Sequence, residues 1–225
     1  MRLGVLFSGG KDSTLALHRA SKAHEIACLI TVVSENDASF MFHTPNIDIT
    51  KLQAECLGIP LVRVKTKGEK EVELNDLRQA IEEAREKHGI EGVVTGAVRS
   101  TYQAVRIQKI CAQLKLWCFN PLWLMDQVEL LNEVVDSKIV AVIGGVFAEG
   151  LDSFLGRQID GKCVTDLALL AKKSGINAAG EGGEIETTVL DAPLFKKKIK
   201  ITKSAEKREA HTGLFQILEA KVIAK

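Results

Sequence analysis

The chain has 225 residues, 46% of them hydrophobic and 26% charged, with a formal net charge of +1. Such a balance fits a soluble globular protein of one large domain, or a nucleotide domain with a smaller companion. It argues against a protein that coats nucleic acid through bulk charge, so no direct nucleic-acid binding is expected. No apolar run approaches the roughly 20 residues that cross a bilayer, so no membrane contact is expected, and the N-terminal apolar run is too short for a signal peptide. Cys28, Cys56, Cys111, Cys118 and Cys163 form no C-x-x-C pair, which suits free thiols in a reducing cytoplasm.

In chain order, the sequence predicts a strand over 2–7, a helix over 11–23 and a second strand over 25–34. Thr44 and Pro45 read as the N-cap and first residue of a helix that stops at "LGIP" (57–60). A third strand follows over 61–66, then a charge-laced helix from about 71 to 88 closed by Gly89. Strands over 91–98 and 116–120 flank a helix over 100–114. Strand and helix alternating at this spacing predict right-handed crossovers and a parallel sheet covered on both faces. After Pro121 the rhythm changes. A helix is expected around 126–137, a strand with a glycine turn over 138–150, and a helix from about 164 to 174 ended by Gly175. Two strand-like stretches, 178–201 and 211–225, close the chain. The expected fold class is α/β, a parallel-sheet nucleotide-binding domain over 1–120 with a smaller α/β substrate-binding domain over 121–225. The lysine run at 196–203 reads as an exposed strand edge protected against aggregation.

The first chemistry-bearing stretch is "SGGKDST", Ser8 to Thr14, between the first strand and the first helix. A helix N-terminus leaves N–H groups unpaired and carries partial positive charge, so it attracts phosphate. Gly9 and Gly10 let the backbone approach an anion, Ser8 and Ser13 offer hydroxyls, and Lys11 offers a charge. The loop is not a Walker A motif, which needs glycine where Val5 stands and Ser or Thr where Asp12 stands. The second stretch, "GEGGEIET" (180–187), places Glu181, Glu184 and Glu186 around Gly182 and Gly183. Such carboxylates can hold a cation, bind an amine or accept a proton. A solvated acidic turn is the plainer reading of that stretch taken alone. His43 follows the second strand, within reach of a nucleotide, although an ordinary loop histidine reads equally well.

"SGGKDS" (8–13) resembles the PP-loop of the N-type ATP pyrophosphatases, with every fixed position filled. The resemblance implies an adenine nucleotide α-hydrolase-like domain, a loop that holds the β,γ-pyrophosphate of ATP, and reaction at the α-phosphorus. It also implies adenosine near Val33, Ser34 and Gly96. Beyond the loop, "GAVRSTYQAVRI" (96–107), "PLW" (121–123) and "GEGGEIETTVLDAPLFKKKI" (180–199) resemble the diphthine–ammonia ligase family, in the same order across nearly the whole chain. Two departures are Ile185, where the family often has Tyr, and Ala104, where a basic residue commonly follows the Y-Q pair. The resemblance implies amidation of the diphthine side chain of elongation factor 2 with ATP and ammonium, releasing AMP and PPi. It implies Mg2+ on the phosphates, with Asp12 as a metal partner or else a helix N-terminal charge. Lys11, Asp12 and the three glutamates would then be catalytic, with Tyr102, Gln103, Arg106, Gly182 and Gly183 holding the acceptor. A homo-oligomer stays open. So do two other readings, a tRNA-modifying PP-loop enzyme and a non-catalytic ATP-binding module.

Overall fold

The computed structural model describes residues 1–35, 45–69 and 72–225. Its first sheet is parallel throughout and contains β1 (Arg2–Leu6), β2 (Glu25–Ser34), β3 (Leu61–Thr66), β4 (Gly92–Val94) and β5 (Trp117–Phe119), in the order β3-β2-β1-β4-β5. The helices α1 (Lys11–Ser21), α2 (Thr50–Leu57), α3 (Glu73–His88) and α4 (Thr101–Gln113) connect successive strands. The chain leaves β1 toward β2 on one side and returns to β4 on the other. A crevice therefore opens between β1 and β4 at their carboxyl ends, where open α/β sheets bind ligands.

Each face of this sheet has its own core, because successive strand side chains point to opposite sides. Cys28, Ile30 and Val32 of β2 pack with Leu77 and Ile81 of α3 and with Ile107 and Ile110 of α4. On the other face, Leu3, Val5 and Leu29 pack with Leu15 and Leu17 of α1, and this core runs on into the second half of the chain. That half contains α5 (Gln127–Asp136), β6 (Val140–Val146), α6 (Gly161–Ser174), β7 (Ile185–Asp191), β8 (Lys198–Glu209) and β9 (Thr212–Ile223). Its four strands form an antiparallel sheet in the order β7-β6-β9-β8. Ile143, Val189 and Ile199 from this sheet join the same buried cluster as α1 and α2.

Several boundaries differ from the sequence expectation: the strand-like stretch 178–201 divides into β7 and β8, β8 runs on to Glu209, and three more differences have a local cause. The second helix does not open at Thr44 and Pro45. Thr44 lies outside the described residues, Asn46 turns through a left-handed conformation (φ 63), and a short 3-10 turn at Ile47–Ile49 leads into α2. β4 stops at Val94 rather than near 98, because the Thr95 hydroxyl accepts a hydrogen bond from Ala97 N at 3.1 Å and bends the chain out of the sheet. α6 starts earlier than expected, at Gly161, since the Asp160 carboxylate caps it by accepting from Cys163 N at 2.8 Å.

The two sheets are stitched together at the phosphate loop. Val189 N of β7 donates to Gly9 O at 2.9 Å, and Lys11 N donates to Thr187 Oγ1 at 3.0 Å. Gln53 of α2 is wholly buried, and its amide nitrogen donates to Gly9 O at 2.9 Å and to Val189 O at 2.7 Å. Gly9 sits at φ +80, and a side chain there would also collide with Gln53 Oε1. Removing the Gln53 amide leaves Gly9 O with the Val189 N bond alone and takes this donor from Val189 O, and a buried acceptor left unsatisfied costs about 1–3 kcal/mol. A Gln53→Leu variant is therefore expected to lose about that much stability in urea unfolding. A wild-type unfolding curve would show that this stitch contributes nothing.

Candidate active site

A cleft of about 400 Å3 opens at the carboxyl ends of β1 and β4. Its walls come from three directions. Ser8, Asp12 and Ser13 belong to the glycine loop and the first turn of α1; Thr95, Gly96, Ser100 and Gln103 follow β4; Gly180–Gly183 and Glu186 come from the second half of the chain. Leu6, Ile30, Val32 and Ile107 supply an apolar side that suits a flat base or an aliphatic chain.

The loop presents the first turn of α1 with no side-chain cap at its N-cap residue, Gly10. Ser8 Oγ and Ser13 Oγ lie 3.3 Å apart beside it. This is the arrangement of donors an anion needs. Gly96 fits for a steric reason, because a Cβ there would come within 2.8 Å of Ser13 N. Its bare backbone lets the wall after β4 close on the loop.

Two loop residues face elsewhere. Thr14 is buried and donates to Gly10 O at 2.9 Å inside α1. Lys11, expected to offer its charge to phosphate, is only 3% exposed and is absent from the cleft wall. Its ammonium donates to Ala179 O at 2.6 Å and to Asp12 Oδ2 at 3.0 Å, fastening the loop to the residue before Gly180. Asp12 Oδ1 is buried and has no hydrogen-bond partner among the described residues.

The three glutamates divide into two holders and one free group. Glu181 Oε1 accepts from Arg99 N at 2.8 Å and Ser100 N at 2.9 Å, which ties the glycine-rich stretch to the start of α4. Desolvation pushes its carboxyl above the usual carboxylate range, with those backbone donors opposing. Glu184 faces the other way. It accepts from Asn177 N at 3.0 Å, Asn177 Nδ2 at 2.9 Å and Gly182 N at 2.9 Å, closing the turn upon itself. Asn177 is held in turn by Gln127, whose Oε1 also accepts from Ala179 N at 3.2 Å. Glu186 has no hydrogen bond or ion pair among the described residues. It keeps an opening to the cleft but sits deep between the sheets, and desolvation pushes its carboxyl up to about 7. Lys11 pulls that value down and Asp12 pushes it up.

The other expected site residues scatter. Gln103, Gly182 and Gly183 line the cleft, while Tyr102 and Arg106 do not. The Arg106 guanidinium instead stacks 3.6 Å from the centre of the Tyr102 ring. On β2 the cleft is lined by Ile30 and Val32, so Val33, next along the strand, faces the opposite side, and Ser34 lies beyond the wall. His43 lies outside the described residues. Gln53, Asn177 and Gln127 were not anticipated, and Thr187 was read only as the end of the glutamate stretch; Gln53, Thr187 and Gln127 act on segments far away in sequence, so no local pattern marks their roles.

No group of three or more His, Cys, Asp or Glu side chains able to hold a metal occurs among the described residues. A protein cage for a cation is therefore not what these residues make. Mg2+ brought by a nucleotide needs only one or two carboxylates beside phosphate oxygens and waters, and the unpartnered Asp12 oxygen fits that lesser demand.

Family comparison agrees with this two-part site. Residues 1–117 match the diphthamide synthase N-terminal domain, and residues 126–223 match the diphthamide synthase C-terminal domain. The chain belongs to the diphthamide synthase family. The diphthine–ammonia ligase of Homo sapiens is 37% identical over 91% of this chain and 84% of that protein. The Bos taurus ligase is 38% identical over the same shares, 91% and 84%. The Schizosaccharomyces pombe ligase is 37% identical over 100% of this chain, which spans 40% of that longer protein.

The isolated carboxylate of this diphthamide synthase family member gives a pH signature. Glu186 ionises near 7 in the folded chain against 4.5 in the reference state, so the native state holds the extra proton between those values. Stability from this group is fully present below about 4.5 and is lost as pH rises through 7. Glu186→Gln cannot ionise and should escape that loss. In thermal melts without ligand, the variant should match the wild type near pH 4.5 and exceed it at pH 8, by roughly 1–3 kcal/mol. Equal stability at both pH values would contradict the desolvated placement of Glu186.

Proposed function

We propose that the protein is a diphthine–ammonia ligase, joining ammonia to the diphthine carboxylate of elongation factor 2 at the expense of ATP. The observation that carries the reading is the sharing of one cleft by the glycine loop, which has no side-chain cap at Gly10, and the free carboxylate of Glu186. In this reading residues 1–120 bind ATP, and residues 121–225 supply the glycine-rich wall and the substrate side.

A carboxylate does not surrender an oxygen to ammonia, so it must first gain a leaving group. Attack of a diphthine carboxylate oxygen on the α-phosphorus forms an acyl–AMP anhydride and breaks the bond to pyrophosphate. The N–H groups of α1, with the Ser8 and Ser13 hydroxyls, stabilise the charge that gathers on the departing pyrophosphate. Lys11 contributes indirectly, by holding the loop in place. Mg2+, when bound, offsets negative charge on the phosphate oxygens, and Asp12 is the residue to hold it. Ammonia then attacks the acyl carbon, forming the C–N bond and releasing AMP, and the nitrogen loses a proton. Glu186 is suited to hold ammonium as an ion pair and to take that proton, since a base poised near neutrality works in both directions. Glu181 and Glu184 shape the wall, and Gln103 with Gly182 and Gly183 faces the acceptor. A cytoplasmic place of action agrees with the five free cysteines. One chain completes the cleft, so the reading does not require a homo-oligomer.

The test uses ATP analogues, because the reading specifies which phosphate bond breaks. With ammonium and diphthine-bearing factor, β,γ-imido-ATP should support amide formation and yield AMP with imidodiphosphate. α,β-Methylene-ATP should block it. Amide formation or nucleotide cleavage that stops with the β,γ-imido analogue, together with ADP from ATP, would overturn the assignment. Tight ATP binding with no turnover would favour a regulatory ATP-binding module instead.

A further inference from the structure

The segment from Pro121 to Gln127 is bonded to two stretches of chain that lead into walls of the cleft. Leu122 anchors it in the core with no exposure. Leu124 N donates to Val98 O at 2.8 Å, two residues from Ser100 on the cleft wall. At its other end, Gln127 Oε1 accepts from Ala179 N at 3.2 Å, next to the cleft-lining Gly180. Between these anchors Trp123 is 36% exposed and Leu124 is 65% exposed.

Leu124 is unusual beyond its exposure. Its backbone is left-handed, at φ 60, a conformation that asparagine or glycine adopts readily and a branched apolar side chain resists. Folding gains little from leucine there, because the side chain stands mostly in water. The turn itself is made by backbone bonds, from Trp123 N to Asn120 O at 3.1 Å and from Met125 N to Leu122 O at 3.1 Å. An apolar side chain held outward at a conformational cost, on a turn bonded to two segments that run into the cleft wall, calls for an occupant.

The ligase reading, on which this inference rests, supplies the occupant's chemistry. Diphthine is a side chain of a folded protein, so polypeptide surface must cover the mouth of the cleft whenever the carboxylate is inside. We propose that Trp123 and Leu124 form the rim on which the protein bearing the acceptor side chain docks. A tryptophan beside an aliphatic residue is the usual make-up of a binding hot spot, and the exposed Arg99 beside them suits the polar border of such a contact.

The experiment measures binding of the diphthine-bearing factor to wild-type, Trp123→Ala and Leu124→Asn proteins by interferometry, with ATP binding and thermal melts alongside. Each variant should bind the factor about 10-fold more weakly, the scale of losing one hot-spot side chain. ATP affinity should not change, and Leu124→Asn should melt at or above the wild-type temperature because asparagine accepts the left-handed turn. Factor binding at wild-type strength in both variants would overturn the proposal. A dimer in ultracentrifugation that Leu124→Asn dissolves would also overturn it, by making the rim a contact between copies of this chain. Amide formation by the wild type is scored separately. Factor bound through the rim without amide would sink the ligase reading and leave the docking surface standing, whereas no binding of the factor by the wild type would overturn the rim.

Discussion

The structure depends on the attachment of the glycine loop to β7. Gly9 O receives Val189 N and the Gln53 amide, Lys11 N reaches Thr187, and the Lys11 ammonium reaches Ala179 O. These bonds cross from a parallel sheet to an antiparallel one and run through buried ground, where each unmade bond would be costly. They set the loop's N–H groups against the strand that begins one residue before Glu186. Attached to β7, the glycine loop shares one cleft with the buried carboxylate of Glu186.

The same attachment explains why three neighbouring glutamates have different environments. Glu181 and Glu184 each receive backbone N–H donors and so are spent on shape. Glu186 receives none, and burial without a partner makes its ionised form costly. A cation placed beside that carboxylate would relieve the cost. Lys11, buried close by, acts in the opposite direction and pulls the Glu186 value down.

Much of the fold was legible in the sequence because it rests on local signals. Apolar runs such as 25–34 and 61–66 coincide with β2 and β3, and Gly89 and Gly175 end α3 and α6 in left-handed turns. The loop was legible because its fixed residues sit between a strand and a helix. What could not be read depends on distant partners. Lys11 looked like a phosphate ligand, but its orientation is decided by Ala179 O, 168 residues away. The start of β7 could not be placed either. Ile185 opens the strand, so Glu186 takes the strand's alternation while Glu184 stays in the turn before it and bonds back to Asn177. Val33 and Val32 were separable only once the register of β2 against β1 and β3 was known.

The central claim is that the cleft brings an acceptor carboxylate to the α-phosphorus. Its most direct test labels the diphthine carboxylate with 18O and analyses the products of one turnover with ammonium. If the carboxylate attacks at that phosphorus and ammonia then displaces AMP, one labelled oxygen must leave on AMP and none on pyrophosphate. Unlabelled AMP, or label found in phosphate or pyrophosphate, would contradict the account.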